Sequence, residues 1–268
     1  MTGRMTAEQV RAVLTGENPG FARHRRRFHR VPSSSRCKIC EAPFDGAGGV
    51  VFRQFGYGRS PGNPSLCSKC VVQLRRQGLS GVEIPVSLLF SDVRGSTGMG
   101  ERMPPTEFYA FLQRFYRLAS DVIAGHDGIV DKIVGDEVIG LFFGGISGPQ
   151  HTAAALEAAL DLAEHAARPD ASPSGPIPIG TAVHTGIAFV GATGPEGTVE
   201  DFTALGDPVN ATARLASAAA AGEVLVSLEA AKAAGVELDG CEQRCLSVRG
   251  RDEPIDVVSV QTFRSRHD

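Results

Sequence analysis

From residue 84 onward the apolar positions change period several times, and each change marks an element. Val86–Phe90 is a short continuous apolar run, the pattern of a buried strand. Pro104 and Pro105 then introduce a segment whose apolar positions Phe108, Phe111, Leu112, Phe115, Ala119, Val122 and Ile123 fall at helical spacing and stop near Gly125–Gly128. The stretch Gly128–Phe143 predicts a hairpin turning at Gly135-Asp136. Residues 150–167 predict an alanine-rich helix, and a Pro/Ser/Gly loop follows at 169–176. Ile177–Thr185 and Ile187–Val190 read as two strands and Pro208–Ala220 as a helix. A strand at Val224–Val226, a short helix at 228–234 and two terminal strands complete the series. The core order, strand–helix–strand–strand–helix–strand, predicts an α+β, ferredoxin-like βαββαβ arrangement.

Charge divides the chain near the start of that pattern. Residues 1–80 hold 14 Lys and Arg against 4 Asp and Glu, whereas residues 81–268 hold 13 against 26. The segment Gln77–Val82 reads as a linker, so we expect a basic arm at 1–30, a small module at 31–80 and a larger domain at 81–268. The cluster Arg23–Arg30 could meet nucleic acid or anionic lipid, or could be a solvated arm or one that docks on its own acidic domain. No stretch approaches the roughly 20 consecutive apolar residues of a membrane helix, and the N-terminus lacks a signal-peptide core. A soluble cytoplasmic protein with no transmembrane segment is expected, and peripheral attachment stays open.

Cys37-x2-Cys40 and Cys67-x2-Cys70 form two thiolate pairs across a spacer rich in turn residues. Four thiolates give the tetrahedral sulfur shell that Zn2+ favours. A zinc-ribbon-like module with one structural Zn2+ is the leading expectation, because so small a segment has little core of its own. An iron–sulfur cluster, redox-active thiols and unligated cysteines are the alternatives. Within the spacer, Val50-Val-Phe52 reads as part of a short hairpin. Cys241 and Cys245, four apart in an expected strand, read as small core residues.

Candidate chemistry lies in two aspartates. Asp92 closes Val86-Ser-Leu-Leu-Phe-Ser-Asp92, and Asp136 closes Lys132-Ile-Val-Gly-Asp136. A carboxylate at the end of a buried strand needs a cation or several donors to stay charged. Two of them, brought together by neighbouring strands, make an oxygen-rich pocket for hard divalent cations. Downstream, Asn210 and Arg214 stand four apart on the expected helix and share a face. Carboxylates, a lysine, an amide and an arginine together suit metal-assisted chemistry at a phosphoryl group. The bland readings are turn residues for the aspartates and a surface pair for the helix.

Five blocks, in order, carry a resemblance. They are Phe90-Ser-Asp-Val-Arg-Gly-Ser-Thr97, Lys132-Ile-Val-Gly-Asp-Glu-Val138, Val183-His-Thr-Gly186, Thr203-Ala-Leu-Gly-Asp-Pro-Val-Asn-Ala-Thr-Ala-Arg214 and Val248-Arg-Gly-Arg251. With them, residues 84–262 resemble the class III adenylyl/guanylyl cyclase catalytic domain, preceded here by the four-cysteine module. The resemblance implies that Asp92, Asp136 and the Val93 carbonyl bind two Mg2+ or Mn2+ ions. It implies that Asn210 and Arg214 are the transition-state pair and that Arg251 contacts phosphate, the alternative being a solvated turn arginine. Lys132 and Thr203 would read the base: the lysine fits adenine, while threonine, as in the class IIIb subgroup, stands where aspartate is commonest. ATP is therefore expected over GTP. Ser96 departs from the family, which commonly carries Phe there, and His184 reads as a structural histidine.

The resemblance further implies a homodimer, because the metal-binding and transition-state residues of one site come from opposite sides of a head-to-tail pair. The arm from Gly191 to Phe202 would contribute to that interface. A soluble adenylate cyclase acting in cyclic AMP signalling is the resulting expectation, with a regulatory partner or ligand at the N-terminal module. The rivals are a guanylate cyclase and a catalytically silent nucleotide-binding scaffold whose basic zinc module is the active part, by binding nucleic acid for example.

Overall fold

The computed structural model describes residues 6–60, 63–76, 81–170, 175–193, 201–238, 241–247 and 254–259. It divides into two compact units, one of Met1–Pro85, Phe143–Pro149 and Ile187–Gly206, the other of Val86–Phe142, Gln150–Gly186 and Asp207–Asp268.

In chain order the elements are α1 (Ala7–Leu14), α2 (Pro19–His29), α3 (Gly46–Gln54), α4 (Ser68–Arg76), β1 (Gly81–Val93), α5 (Ser96–Arg102), α6 (Pro105–Gly125), β2 (Ile129–Val134) and β3 (Glu137–Phe142). Then follow α7 (Gly144–Ser147), α8 (His151–Ala166), β4 (Ile179–Thr193), β5 (Asp201–Leu205), α9 (Asp207–Ala218), β6 (Val224–Ser227), α10 (Leu228–Ala233), β7 (Glu242–Leu246) and β8 (Ile255–Ser259). The sheet order is β2-β3-β1-β4-β6-β8-β7, with β5 paired to β4. The series β1, α6, β2, β3, α8, β4 is the expected βαββαβ core, with the short α5 inserted after β1 and the short α7 after β3.

The larger unit is built around that core. Helix α6 presents Phe111, Phe115, Ala119 and Ile123, one residue per turn, and all four are buried. Helix α8 buries Ala155, Leu156, Ala158, Ala159, Leu162, Ala163 and Ala166. Both join one cluster with Leu89, Val93, Val138, Phe142, Val183, Val224, Val226 and Val258 from the strands. At the size of a buried Leu or Phe, each such side chain contributes about 1.5–3 kcal/mol. The alanines of α8 cost little entropy and leave it free to lie close to its neighbours.

Three expectations about elements are corrected. Ile177–Thr185 and Ile187–Val190 form one strand, β4, because Gly186 continues the extended chain instead of turning it. Val50-Val-Phe52 belongs to helix α3 rather than a hairpin: Phe52 packs edge-on against Phe28, ring centroids 4.7 Å apart, and β propensity yields to that contact. Cys245 is exposed and Cys241 only half-buried. Cys241, just before β7, still packs against the core cluster, whereas Cys245 is displaced from it because β7 is an edge strand of the sheet.

In the smaller unit, α1 carries a capping box between Thr6 and Gln9 and buries Val10, Val13 and Leu14. The cluster Arg23–Arg30, expected as an arm, is mostly the helix α2. Arg25 of α2 donates to the Gly145 carbonyl at 2.5 Å and to Glu41 at 3.0 Å, so this part of the basic cluster is packed, not solvated.

Candidate active site and four-cysteine centre

Strand register brings the two aspartates together. In the antiparallel ladder between β1 and β3, Asp92 lies opposite Glu137, the residue after Asp136. The β2–β3 hairpin turns on Gly135, whose φ of 62° favours glycine, and Asp136 occupies the second turn position. The Val93 amide donates to the Asp136 carbonyl at 3.2 Å, which ties the end of β1 to the turn.

Burial and a hydrogen bond to Asp136 push the Asp92 carboxyl up to about 6, against the pull of Arg94. Burial also opposes ionisation of Asp136, but hydrogen bonds from Ser96 and Asp92 outweigh it and hold this carboxyl below its ordinary range. Asp92 is thus the carboxyl of the pair that takes up a proton first as the pH falls. Burial, then the charges of Asp92 and Asp136, push the third carboxyl, Glu137, up to about 7. Two touching carboxylates with a third beside them need either a proton or a cation, and an all-oxygen donor set fits a hard divalent ion. Asp92, Asp136 and the Val93 carbonyl therefore suit the Mg2+ or Mn2+ expected there.

Three contributors went unread in the sequence. Ser96, noted only as a departure, donates to Asp136. Glu137 is set beside the pair by register alone. Arg94 pairs with Asp92 and also donates to the Ser217 carbonyl at 2.9 Å and the Ala219 carbonyl at 3.5 Å. Those carbonyls end α9, whose last turn has no basic residue of its own, so Arg94 supplies the missing donors and positive charge. A side chain at Gly180 would stand 2.8 Å from the Ala219 carbonyl and 3.1 Å from Arg94 Nε, so this β4 position must stay bare for the arginine to pass. The only sequence signal was the charge itself, two residues after Asp92.

Asn210 and Arg214 lie on α9, the first exposed and the second half-buried. Among the described residues neither bonds to Asp92 or Asp136 within the chain. Lys132 is half-buried on β2, its Nζ 3.8 Å from the Asp131 carboxylate. The β2–β3 register shifts between Val130 and Lys132, so Asp131 is an inserted bulge residue that re-aims the lysine after it. Thr203 belongs to the other compact unit, buried on β5 opposite Gly191. Arg251 and its block Val248–Arg251 lie outside the described residues. His184 is a structural histidine, buried with Nδ1 2.8 Å from Ser227 Oγ.

The family profile described as "Adenylate and Guanylate cyclase catalytic domain" matches residues 82–258. The chain belongs to this family. An adenylate cyclase of Anabaena cylindrica is 26% identical over 211 residues, covering 72% of this chain and 41% of that protein. The chain thus spans less than half the length of this relative. Among solved structures, the guanylyl cyclase Cya2 superposes with a TM-score of 0.62 at 26% identity, covering 67% of this chain and 93% of that one. The adenylyl cyclase CyaB from P. aeruginosa gives 0.59 at 26% identity, covering 66% and 93%. The cyclase fold of the larger part of the chain is therefore shown, and equal identity to an adenylyl and a guanylyl enzyme leaves the base preference to the residues.

The four cysteines form a separate centre. Their sulfurs all lie within 4.8 Å of one another, with Cys37 to Cys70 at 3.9 Å and Cys40 to Cys67 at 3.7 Å. A tetrahedral Zn2+ with ~2.3 Å bonds needs sulfurs about 3.8 Å apart, so the set fits. The first pair sits in a turn closed by Cys37 N to Ala42 O at 2.9 Å, and the second leads into α4. Backbone amides of Cys67 and Cys70 donate to the sulfurs of Cys37 and Cys67 at 3.2 and 3.3 Å. Burial disfavours a thiolate at Cys37, but hydrogen bonds from the other three outweigh it and hold this thiol well below its usual range. Hydrogen bonds to Cys37 raise Cys40 and Cys70 instead. Only a shared cation lets all four ionise together.

Proposed function

We propose that this chain is an adenylate cyclase, a phosphorus–oxygen lyase that converts ATP to 3′,5′-cyclic AMP and pyrophosphate at sites shared between two copies of the chain. The observation that carries this reading is the meeting of Asp92 and Asp136 at the β1 end and the β2–β3 turn, in a chain that keeps Lys132, Asn210 and Arg214 in family order.

In the reaction the ribose 3′-oxygen bonds to the α-phosphorus, the bond to the α,β-bridging oxygen breaks, and the hydroxyl proton leaves to water. Two Mg2+ or Mn2+ ions held by Asp92, Asp136 and the Val93 carbonyl would supply the Lewis acidity that activates the hydroxyl and neutralises the triphosphate. Lys132 and Thr203 read adenine, the threonine hydroxyl accepting from the 6-amino group. Asn210 orients the ribose. Arg214 offers a planar fork of donors to the charge that builds on the α-phosphate, and Arg251 steadies the leaving pyrophosphate. Because Asn210 and Arg214 make no bond to the aspartates of their own chain, a homodimer in which each site takes its metal residues from one copy and its α9 pair from the other accounts for both sets.

The arm at 1–30, the module at 31–80 with one structural Zn2+, and the catalytic domain at 81–268 are the proposed divisions, in a protein placed in the cytoplasm. The module is the regulatory part. No helix among the described residues is long and apolar enough to cross a membrane.

A guanylate cyclase is the second reading, favoured by the likeness to Cya2 and by a threonine that can also donate to a 6-oxo group. The test is product formation by the full chain from ATP and from GTP, with Mn2+ and with Mg2+, beside Asp92→Ala. Cyclic AMP lost in the variant is the expected result. Cyclic GMP from GTP in preference would select the second reading, and no cyclic product from a folded dimer would leave the silent scaffold.

A further inference from the structure

Helix α3 is amphipathic the wrong way round for a helix of a small soluble module. Its inward side is Gly48, Gly49 and Phe52. A side chain at Gly49 would meet the Phe44 carbonyl at 2.3 Å and one at Gly48 would meet Val31 at 2.5 Å, so the glycines let the helix lie directly on the 31–44 segment. Phe52 fills the remaining space against Phe28 and Tyr57, with ring centroids 4.7 and 5.5 Å away. The outward side is Ala47, Val50, Val51 and, one residue beyond the helix, Phe55, spaced i, i+3, i+4 and i+8 along one face. Val50 is 59% exposed, Val51 52% and Phe55 66%. Scattered exposed apolar residues are ordinary, but Val50, Val51 and Phe55 clustered around the exposed Gln54 on one helix face mark a binding surface.

Two cations flank this face. Arg53 is exposed on α3 itself, and Lys69 Nζ reaches the Phe55 carbonyl at 3.4 Å. Beside the helix lies a cavity of about 380 Å3 lined by Phe44, Asp45, Gly49, Arg53, Tyr57, Gly58 and Arg59, where Asp45 is paired to Arg59 at 3.6 Å. Helix α2, with exposed Arg23, Arg26, Arg27 and Arg30, packs through Phe28 on Phe52, the inward side of α3.

We infer that the four-cysteine module seats on an anionic phospholipid bilayer, with Val50, Val51 and Phe55 entering the interface and Arg53 and Lys69 facing the headgroups. Exposed apolar side chains flanked by cations match the composition of an interfacial lipid contact. Nucleic acid would leave the two valines without a role, since they offer neither a stacking face nor a hydrogen bond. A second copy of the same face would bring like charges together.

The test is sedimentation of the full chain with phosphatidylcholine vesicles, with and without phosphatidylglycerol. Binding is expected only to the anionic vesicles and should weaken as salt is raised. Val51→Ser with Phe55→Ser should lower partitioning by about tenfold or more, and Arg53→Gln with Lys69→Gln by roughly fivefold per cation removed. Circular dichroism and metal content report that each variant is folded. Binding to neither vesicle, or equal binding by the serine variant, overturns the inference. Binding of an oligonucleotide that survives the serine substitutions but not the glutamine ones would overturn it in favour of nucleic acid, and self-association lost with Phe55→Ser would overturn it in favour of a dimer surface.

Discussion

The chain builds its two proposed cation sites in opposite ways. The four cysteines stand as two pairs, each pair held by its own turn or helix start, and their burial leaves no way to ionise together except around a metal. The paired aspartates come from distant strands, joined by ladder register, and they are already partly satisfied by one another, by Ser96 and by Arg94. A site of the first kind must hold its ion to hold its fold. A site of the second kind survives without one, which suits an ion that arrives with substrate.

The sharpest way to break this comparison is to remove ligands from each site. Cys37→Ser with Cys40→Ser should strip the proposed zinc, a contribution of about 10–16 kcal/mol in small zinc modules. Limited proteolysis should then cut within 31–76 while the α6–α8 core stays protected. Asp136→Ala should do the reverse, with product formation down by about a thousandfold or more while the metal content and protease resistance of the cysteine module stay unchanged.

Arg94 tests the half-neutralised state itself. Arg94→Ala removes the donors to the Ser217 and Ala219 carbonyls as well as the partner of Asp92. A melting temperature lower by about 5 °C is expected, with a several-fold loss of turnover as the α9 pair loses its anchor. Arg94→Lys should restore charge but not the two-carbonyl grip, and so recover only part of the loss.

The smallest effect is in pH. The folded carboxyls of Asp92 and Glu137 sit at about 6 and about 7, above their ordinary 3.8 and 4.5. The folded state therefore binds more protons than the unfolded one between roughly pH 4 and 7. Their contribution to stability is present in full below pH 4 and is lost as the pH rises through 7. Asp136, shifted the other way, opposes part of this slope at the acid end. Metal-free protein should thus lose thermal stability on going from pH 5 to above 7, and Mg2+ should restore it most at the alkaline end. Glu137→Gln should flatten the slope, as thermal melts across pH would show.

The same contrast governs how much was legible in the sequence. Spacing displays short-range devices directly: the cysteine pairs, the Phe111–Ile123 face of α6, the Gly135-Asp136 turn, and Asn210 with Arg214 on one helix. Family blocks supplied the partners of Asp92. Register is different, because nothing in Glu137 announces that it will lie opposite Asp92, and nothing in Arg94 announces a reach across 125 residues to the end of α9. Val50-Val-Phe52 misled for a physical reason: β-branched residues mimic a strand, whereas Gly48 and Gly49 permit a helix that leaves both valines outside.

The central claim is that metal residues and the α9 pair act on one substrate from two different chains. Co-expressing Asp136→Ala and Arg214→Ala chains, each inactive alone, tests it directly. Mixed dimers would hold one site with both lesions and one with none, so about a quarter of the wild-type rate should return. No recovered activity, with mixed dimers demonstrated, would contradict the account.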